Sequence, residues 1–245
     1  LPVSAASAFG SSPFFHAINF SVGGTNLGTT QFIDAFQRGN FWNDVTANSP
    51  DYHILLAQPT VMPVLSLTVP ARLGSVRTLK SGVKYSVVDT NFADAAAQSY
   101  MKATKQIQPN AFVVFLTYNT EIGGGISFHS SVGPQTYTIT MFNDPGVLAP
   151  LNPTFASVAN VEVSTHEIGE WLDDPFGSNV TPGFGILEVG DPLDGNHLIV
   201  HRGGLQYNLQ ELAFHDYFTC KAPPSTSVNG WYSFLGKFRV PDSSC

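Results

Sequence analysis

Charge is scarce in this chain: of 245 residues only 11 are Lys or Arg and 18 are Asp or Glu, a formal net charge of −7 with no basic run. Binding a polyanion requires clustered cations that displace its counterions, so neither nucleic acid nor an anionic membrane surface is an expected partner. Long apolar runs are lacking as well. Pro, Gly or a charged residue interrupts each candidate before the roughly 20 residues needed to cross a bilayer, so no membrane insertion is expected. Cysteine is limited to Cys220 and Cys245. In a chain poor in Lys and rich in Gly, Ser, Thr and Asn, two cysteines near the C-terminus point to a disulfide that ties down the tail of a secreted, extracellular protein. The opening LPVSAASAFGSSPFF has no basic start or long apolar middle, as expected of a mature chain whose leader has been removed.

What the sequence does have is apolar residues, 43% of the total. That is enough for a sizeable core, and the length suits one mixed domain over 1–245, with room for a small C-terminal lobe from about residue 176. A monomer is expected, and no internal repeat is visible.

Along the chain, the first thirty residues are expected to be extended and Gly-rich. Gln31 to Gln37 places Phe32, Ile33 and Phe36 on one helical face. Tyr52 to Leu56 and Val64 to Val69 are β-prone runs split by prolines, and Asn91 to Ile107 has the composition of a helix stopped by Gln108-Pro109. Ala111 to Leu116 is an apolar run of strand length. Gly123-Gly124-Gly125 breaks the chain, Thr136 to Phe142 forms a further strand, and Asp144-Pro145-Gly146 turns it. A helix is expected over 155–172, started by Asn152-Pro153-Thr154 and carrying Val158, Val161, Ile168 and Leu172. Strands with few helices and no regular βαβ rhythm make the fold class α+β with a mixed sheet.

Chemistry concentrates on that last helix. Residues four apart lie one above the other, so His166 and Glu170 can reach one ion while Glu167 sits about 100° round the axis. His-Glu-x-x-His zinc peptidases use this geometry, with the Glu polarising the attacking water. Here Glu170 stands where the second His would be. Carboxylates are ordinary zinc ligands, but the added negative charge makes the ion less electrophilic. Further acids follow at Glu188, 22 residues beyond His166, and Asp191.

The stretch Ser164 to Pro175, with Leu187-Glu188-Val189-Gly190-Asp191-Pro192, resembles a zincin-like group of secreted bacterial proteins of undefined role. The likeness extends upstream through Gln31 to Arg38 and Tyr52 to Leu56. More distantly the chain is similar to phosphate-induced, exordium-like proteins, and more loosely to gluzincin metallopeptidases. Two strands before the helix match the zincin order of edge strand and active helix. The gluzincin resemblance implies Glu188 as third metal ligand and Asp191 as the partner that orients His166. The spacing is Glu-x-x-Asp instead of Glu-x-x-x-Asp, so either carboxylate remains a candidate ligand.

Asp174, before Pro175, is expected to be a corner residue. His129 and Tyr207 are candidates to stabilise an oxyanion. His197 and His201, separated by Leu-Ile-Val, are expected to pack at the surface or in the core, and His16, His53 and His215 to pack or hydrogen-bond. The expected function is a secreted metallopeptidase acting on a peptide or protein substrate, with Zn²⁺ bound by His166, Glu170 and Glu188 and Glu167 as general base. The dense carboxylates also admit Mn²⁺ or Ca²⁺. The alternative is a non-catalytic binding protein with a structural ion, recognising glycans or cell surfaces through residues such as Trp42, Trp171 and Trp231.

Overall fold

The computed structural model describes residues 3–104, 110–123 and 125–245. The N-terminal part departs from the extended expectation at once, because Val3–Gly10 forms helix α1. Strands β1 (Ile18–Val22) and β2 (Thr25–Thr30) follow as an antiparallel hairpin. Helix α2 (Phe32–Asn40) lies where the Phe32, Ile33, Phe36 pattern places it, and all three side chains are buried. A short helix α3 (Trp42–Asn48) comes next.

The expected strands over Tyr52 to Leu56 and Val64 to Val69 do not form. Residues 52–70 have no regular secondary structure. Pro59, Pro63 and Pro70 remove ladder donors, and Val61 and Val64 are 80% and 77% exposed. Side chains of α2 replace a partner strand. Gln31, just before the helix, exchanges two hydrogen bonds with the backbone of Leu56, and Asp34 accepts from the Ile54 N–H.

Beyond this segment come β3 (Gly74–Thr78), β4 (Lys84–Asp89) and helix α4 (Thr90–Thr104), whose expected end at Gln108-Pro109 lies outside the described residues. Then β5 (Val113–Tyr118), β6 (Thr120–Gly123), β7 (Phe128–Val132) and β8 (Gln135–Phe142) complete two three-stranded sheets, ordered β3-β4-β6 and β5-β8-β7. Both sheets mix parallel and antiparallel pairs, as β4 with β6 and β5 with β8 are parallel. The class is α+β, as expected.

The critical helix, α5 (Glu162–Asp173), begins later than the sequence suggested. Pro153–Ser157 is a separate 3-10 turn, Val158 is extended, and Asn160 takes a left-handed φ of 49°. The break is stitched to its surroundings: the Asn160 side chain accepts the N–H of Asn208, and Asn143 and Asn160 form a β-bridge. After α5 the chain makes β9 (Val180–Thr181), β10 (Gly185–Ile186), a 3-10 turn at Asp191–Leu193, the hairpin of β11 (His197–Arg202) and β12 (Leu205–Gln210), and α6 (His215–Phe218).

Residues beyond 176 share the main core with the N-terminal third. Phe36 stacks on Phe214, and Phe20 and Phe32 both meet Phe234 edge-on. A disulfide joins Cys220 to Cys245 and closes the tail. Against this core, α5 is wedged between β8 and β12. Thr140 and Ser164 hydroxyls pair at 3.2 Å, the Gln210 N–H donates to the Thr165 hydroxyl at 2.7 Å, and Phe112 stacks on Trp171 at 3.9 Å. Gly169 permits this closeness, since a Cβ there would lie 2.6 Å from the Leu212 side chain. A helix fixed on both sides presents its remaining side chains at set positions.

Candidate metal centre

The fourfold spacing on α5 brings His166 Nε2 to 3.1 Å from Glu170 Oε1. The turn at Asp191–Leu193 delivers Asp191 Oδ1 to 3.5 Å from the same nitrogen. These three donor atoms lie within 4.8 Å of one another. On the other side of the ring, His166 Nδ1 is 3.2 Å from both Gln210 Oε1 and Asp194 Oδ1. Acceptors at Nδ1 keep the ring proton there and leave the Nε2 lone pair for an ion, the usual outer-shell arrangement of a ligating histidine.

The loop holding Asp191 is itself anchored. Gln210 Nε2 donates to the Gly190 carbonyl at 2.8 Å, and the Gly190 N–H donates to Glu170 Oε1 at 3.2 Å. Gly190 has an ordinary φ of −85°, so backbone freedom is not its purpose. Space is: a Cβ would sit 2.6 Å from His166 Nδ1. Gly190→Ala is therefore expected to push the imidazole off Glu170 and Asp191 and weaken Zn²⁺ binding by about tenfold to a hundredfold, as loss of an orienting contact does. Calorimetric titration with Zn²⁺ checks this, alongside circular dichroism to show that the fold is kept.

Glu167 points beside the cluster. The Ser127 hydroxyl donates a short hydrogen bond to its Oε1, while its Oε2 is buried and has no hydrogen-bond partner. His129, on β7, turns Nδ1 towards Glu167 Oε2 at 3.5 Å and Glu170 Oε2 at 3.6 Å. Its Nε2 contacts the Asp174 carbonyl at 3.1 Å. Glu188 belongs to neither group of converging donor atoms but faces Glu170 from the loop. Tyr207, paired with Val200 across the β11–β12 hairpin, is 1% exposed in the aromatic core, apart from these groups. His197 also lies outside the centre, held 3.0 Å from the buried Glu162.

No family model, curated protein or solved structure matches this chain. The centre must be judged by its own chemistry.

Five carboxylates, those of Glu167, Glu170, Glu188, Asp191 and Asp194, gather around two imidazoles. Among the described residues no Lys or Arg is paired with any of them. Burial would depress both imidazoles, yet the neighbouring carboxylates prevail. They hold His166 well above its ordinary value, mainly through the charge of Glu170, and the facing carboxylates of Glu167 and Glu170 raise His129 to about 10. Burial followed by the charge of Glu170 pushes Glu188 up to about 8 and Asp191 to about 6. A partly buried, acid-rich cluster that draws in protons for lack of other cations, with an orphaned carboxylate oxygen, suits a divalent ion. Imidazole with carboxylates is a donor set for Zn²⁺ or Mn²⁺, and Ca²⁺ is served only by the oxygens.

A cavity of about 300 Å³ opens on His166, Glu167 and Asp191. Leu148, Leu151, Phe155 and Val158 form its apolar wall.

Asp194, Gln210, Ser127 and Gly190 were not singled out from the sequence. Only Asp194 left a signal, because a 3-10 turn has three residues per turn and so places Asp191 and Asp194 on one face. At the far end of α5, Asp174 takes the corner, its carboxylate accepting the N–H groups of Ser178 and Asn179 at 2.9 Å each.

Asp173 beside it is half-buried, but its Oδ2 is enclosed and unpartnered, and only the Gln37 amide serves Oδ1. Burial raises it to about 7. The native state thus holds this proton more tightly than the unfolded chain, where Asp titrates near 3.9. Stability consequently falls as pH rises between those values, by about 4 kcal/mol at most. Asp173→Asn removes that slope, so its melting temperature relative to the parent rises between pH 5 and pH 8. Thermal melts at both pH values check the difference.

Proposed function

We propose that this protein is a secreted, zincin-like metal-dependent hydrolase that cleaves peptide bonds in peptide or protein substrates. One juxtaposition carries the reading. His166, Glu170 and Asp191 converge from two separate segments, and on the same helix Glu167 offers a buried carboxylate oxygen with no hydrogen-bond partner. When bound, Zn²⁺, or alternatively Mn²⁺ or Ca²⁺, supplies Lewis acidity for a carbonyl and makes water easier to deprotonate. Asp191 replaces Glu188 as third ligand in this reading, because its oxygen meets both His166 and Glu170.

The rest falls to the chain's own groups. The Ser127 hydroxyl fixes Glu167 at Oε1, so that Oε2 is the oxygen free to accept the proton of the attacking water. Glu167 then passes that proton to the leaving amine. The wall of Leu148, Leu151, Phe155 and Val158 gives the adjoining cavity an apolar side that favours an apolar substrate side chain. His129 faces the carboxylates and does not line the cavity, so it is not assigned an oxyanion role. The disulfide supports an extracellular location, and no described helix is long and apolar enough to cross a membrane.

Incubation with unfolded casein, with and without a chelator, tests the proposal when cleavage and melting temperature are followed together. Cleavage that the chelator stops is the expected result. Loss of stability on chelation without any cleavage would instead favour a binding protein with a structural ion.

A further inference from the structure

Glu170 faces two imidazoles at once. Its Oε1 lies 3.1 Å from His166 Nε2 and its Oε2 lies 3.6 Å from His129 Nδ1. Each side has a second carboxylate, Asp191 beside His166 and Glu167 beside His129. His129, Glu167 and Glu170 therefore form their own group of donor atoms within 4.8 Å of one another.

Hydrogen bonding does not account for this second group. Nδ1 of His129 is 3.5 and 3.6 Å from its two carboxylate oxygens, beyond the usual 2.7–3.2 Å of an N–H···O bond. Two donors on one tetrahedral ion with bonds of about 2.1 Å, by contrast, stand about 3.4 Å apart. The ring is also correctly turned. Nε2 meets the Asp174 carbonyl at 3.1 Å, which can only accept, so in the neutral ring the proton is on Nε2 and the lone pair on Nδ1 faces the carboxylates. Independently, Glu167 is 2% exposed and its Oε2, aimed into this space, has no hydrogen-bond partner.

We propose that His129, Glu167 and Glu170 form a second divalent-cation site, joined to the first through the two oxygens of Glu170. The inference rests on reading His166, Glu170 and Asp191 as the first metal site. Its imidazole donor suits Zn²⁺ or Mn²⁺ better than Ca²⁺. Filling it occupies Glu167 Oε2, the oxygen that serves as base when one ion is bound. The second ion thus silences hydrolysis, and metal availability sets activity through the catalytic helix itself.

The test is to strip the full-length protein with a chelator and titrate it with Mn²⁺, counting bound ions by calorimetry and elemental analysis and recording electron paramagnetic resonance spectra. Two ions per chain with a spin-coupled signal are expected. His129→Gln, whose amide can still donate to the Asp174 carbonyl, should bind one. Asp191→Asn should also bind one, which keeps the test open if the His129 variant fails to fold. Cleavage by the parent should rise with the first equivalent and fall by about a hundredfold with the second. One ion per chain in the parent, or two in His129→Gln, would overturn the second site. Parent protein that binds one ion and cleaves casein in a metal-dependent way discards this site alone. Two coupled ions without cleavage at any loading would uphold it and discard the hydrolase reading.

Discussion

Glu167→Gln abolishes hydrolysis, with turnover expected to fall by about 10²- to 10⁴-fold, the range that a positioned general base supplies. Gln has the size and shape of Glu, and the Ser127 hydroxyl can still donate to its amide oxygen, so the side chain stays in place. What disappears is the basic oxygen at Oε2. The variant should retain the ion at His166, Glu170 and Asp191, because none of those donors is touched. Folding should not suffer either, since the change removes a buried charge and leaves the helix's contacts to β8 and β12 intact. Casein cleavage at one equivalent of metal, with elemental analysis of the same sample, checks both halves. Undiminished turnover would remove Glu167 from the mechanism.

Glu170→Gln has a larger effect on the ion than any other single change, because Glu170 alone belongs to both groups of donors. Its carboxylate also raises both imidazoles above their ordinary range, and the two histidines in turn hold it well below the usual carboxylate range. A neutral amide loses that pairing and ligates weakly. Affinity for Zn²⁺ should drop by more than the tenfold to hundredfold that outer-shell changes cause, about a thousandfold, and hydrolysis should go with it. Glu188→Gln is the informative contrast. Glu188 borders Glu170 without joining either group, so its loss should change affinity by about tenfold or less. Titration of Glu188→Gln beside Asp191→Asn separates Asp191 from Glu188 as third ligand.

The helix and its three polar residues were legible because the signal is local. Spacing of four on an α-helix fixes a shared face whatever surrounds it. The start of the helix was not legible. Val158 and Val161 have helical spacing, but Asn160 leaves the right-handed region to bond Asn208, 48 positions away in sequence. The choice between Glu188 and Asp191 was equally non-local. It depends on the Gln210 amide gripping the Gly190 carbonyl and on Gly190 leaving room for His166, neither of which a spacing rule contains. His129 stood out from the sequence, yet its role depends on β7 lying against α5 at a register the sequence does not show. The strand expectation over 52–56 and 64–69 failed for a different reason. The β-prone residues are present, but the side chains of Gln31 and Asp34 satisfy the backbone of Ile54 and Leu56 in place of a neighbouring strand, and Pro63 and Pro70 flank the exposed second run.

The most direct measurement is an anomalous-scattering map from crystals of the protein soaked in Zn²⁺. A peak about 2.0–2.2 Å from His166 Nε2, Glu170 Oε1 and Asp191 Oδ1 is the predicted result. Side chains turned away from one another, or no peak between them at saturating metal, would contradict the account.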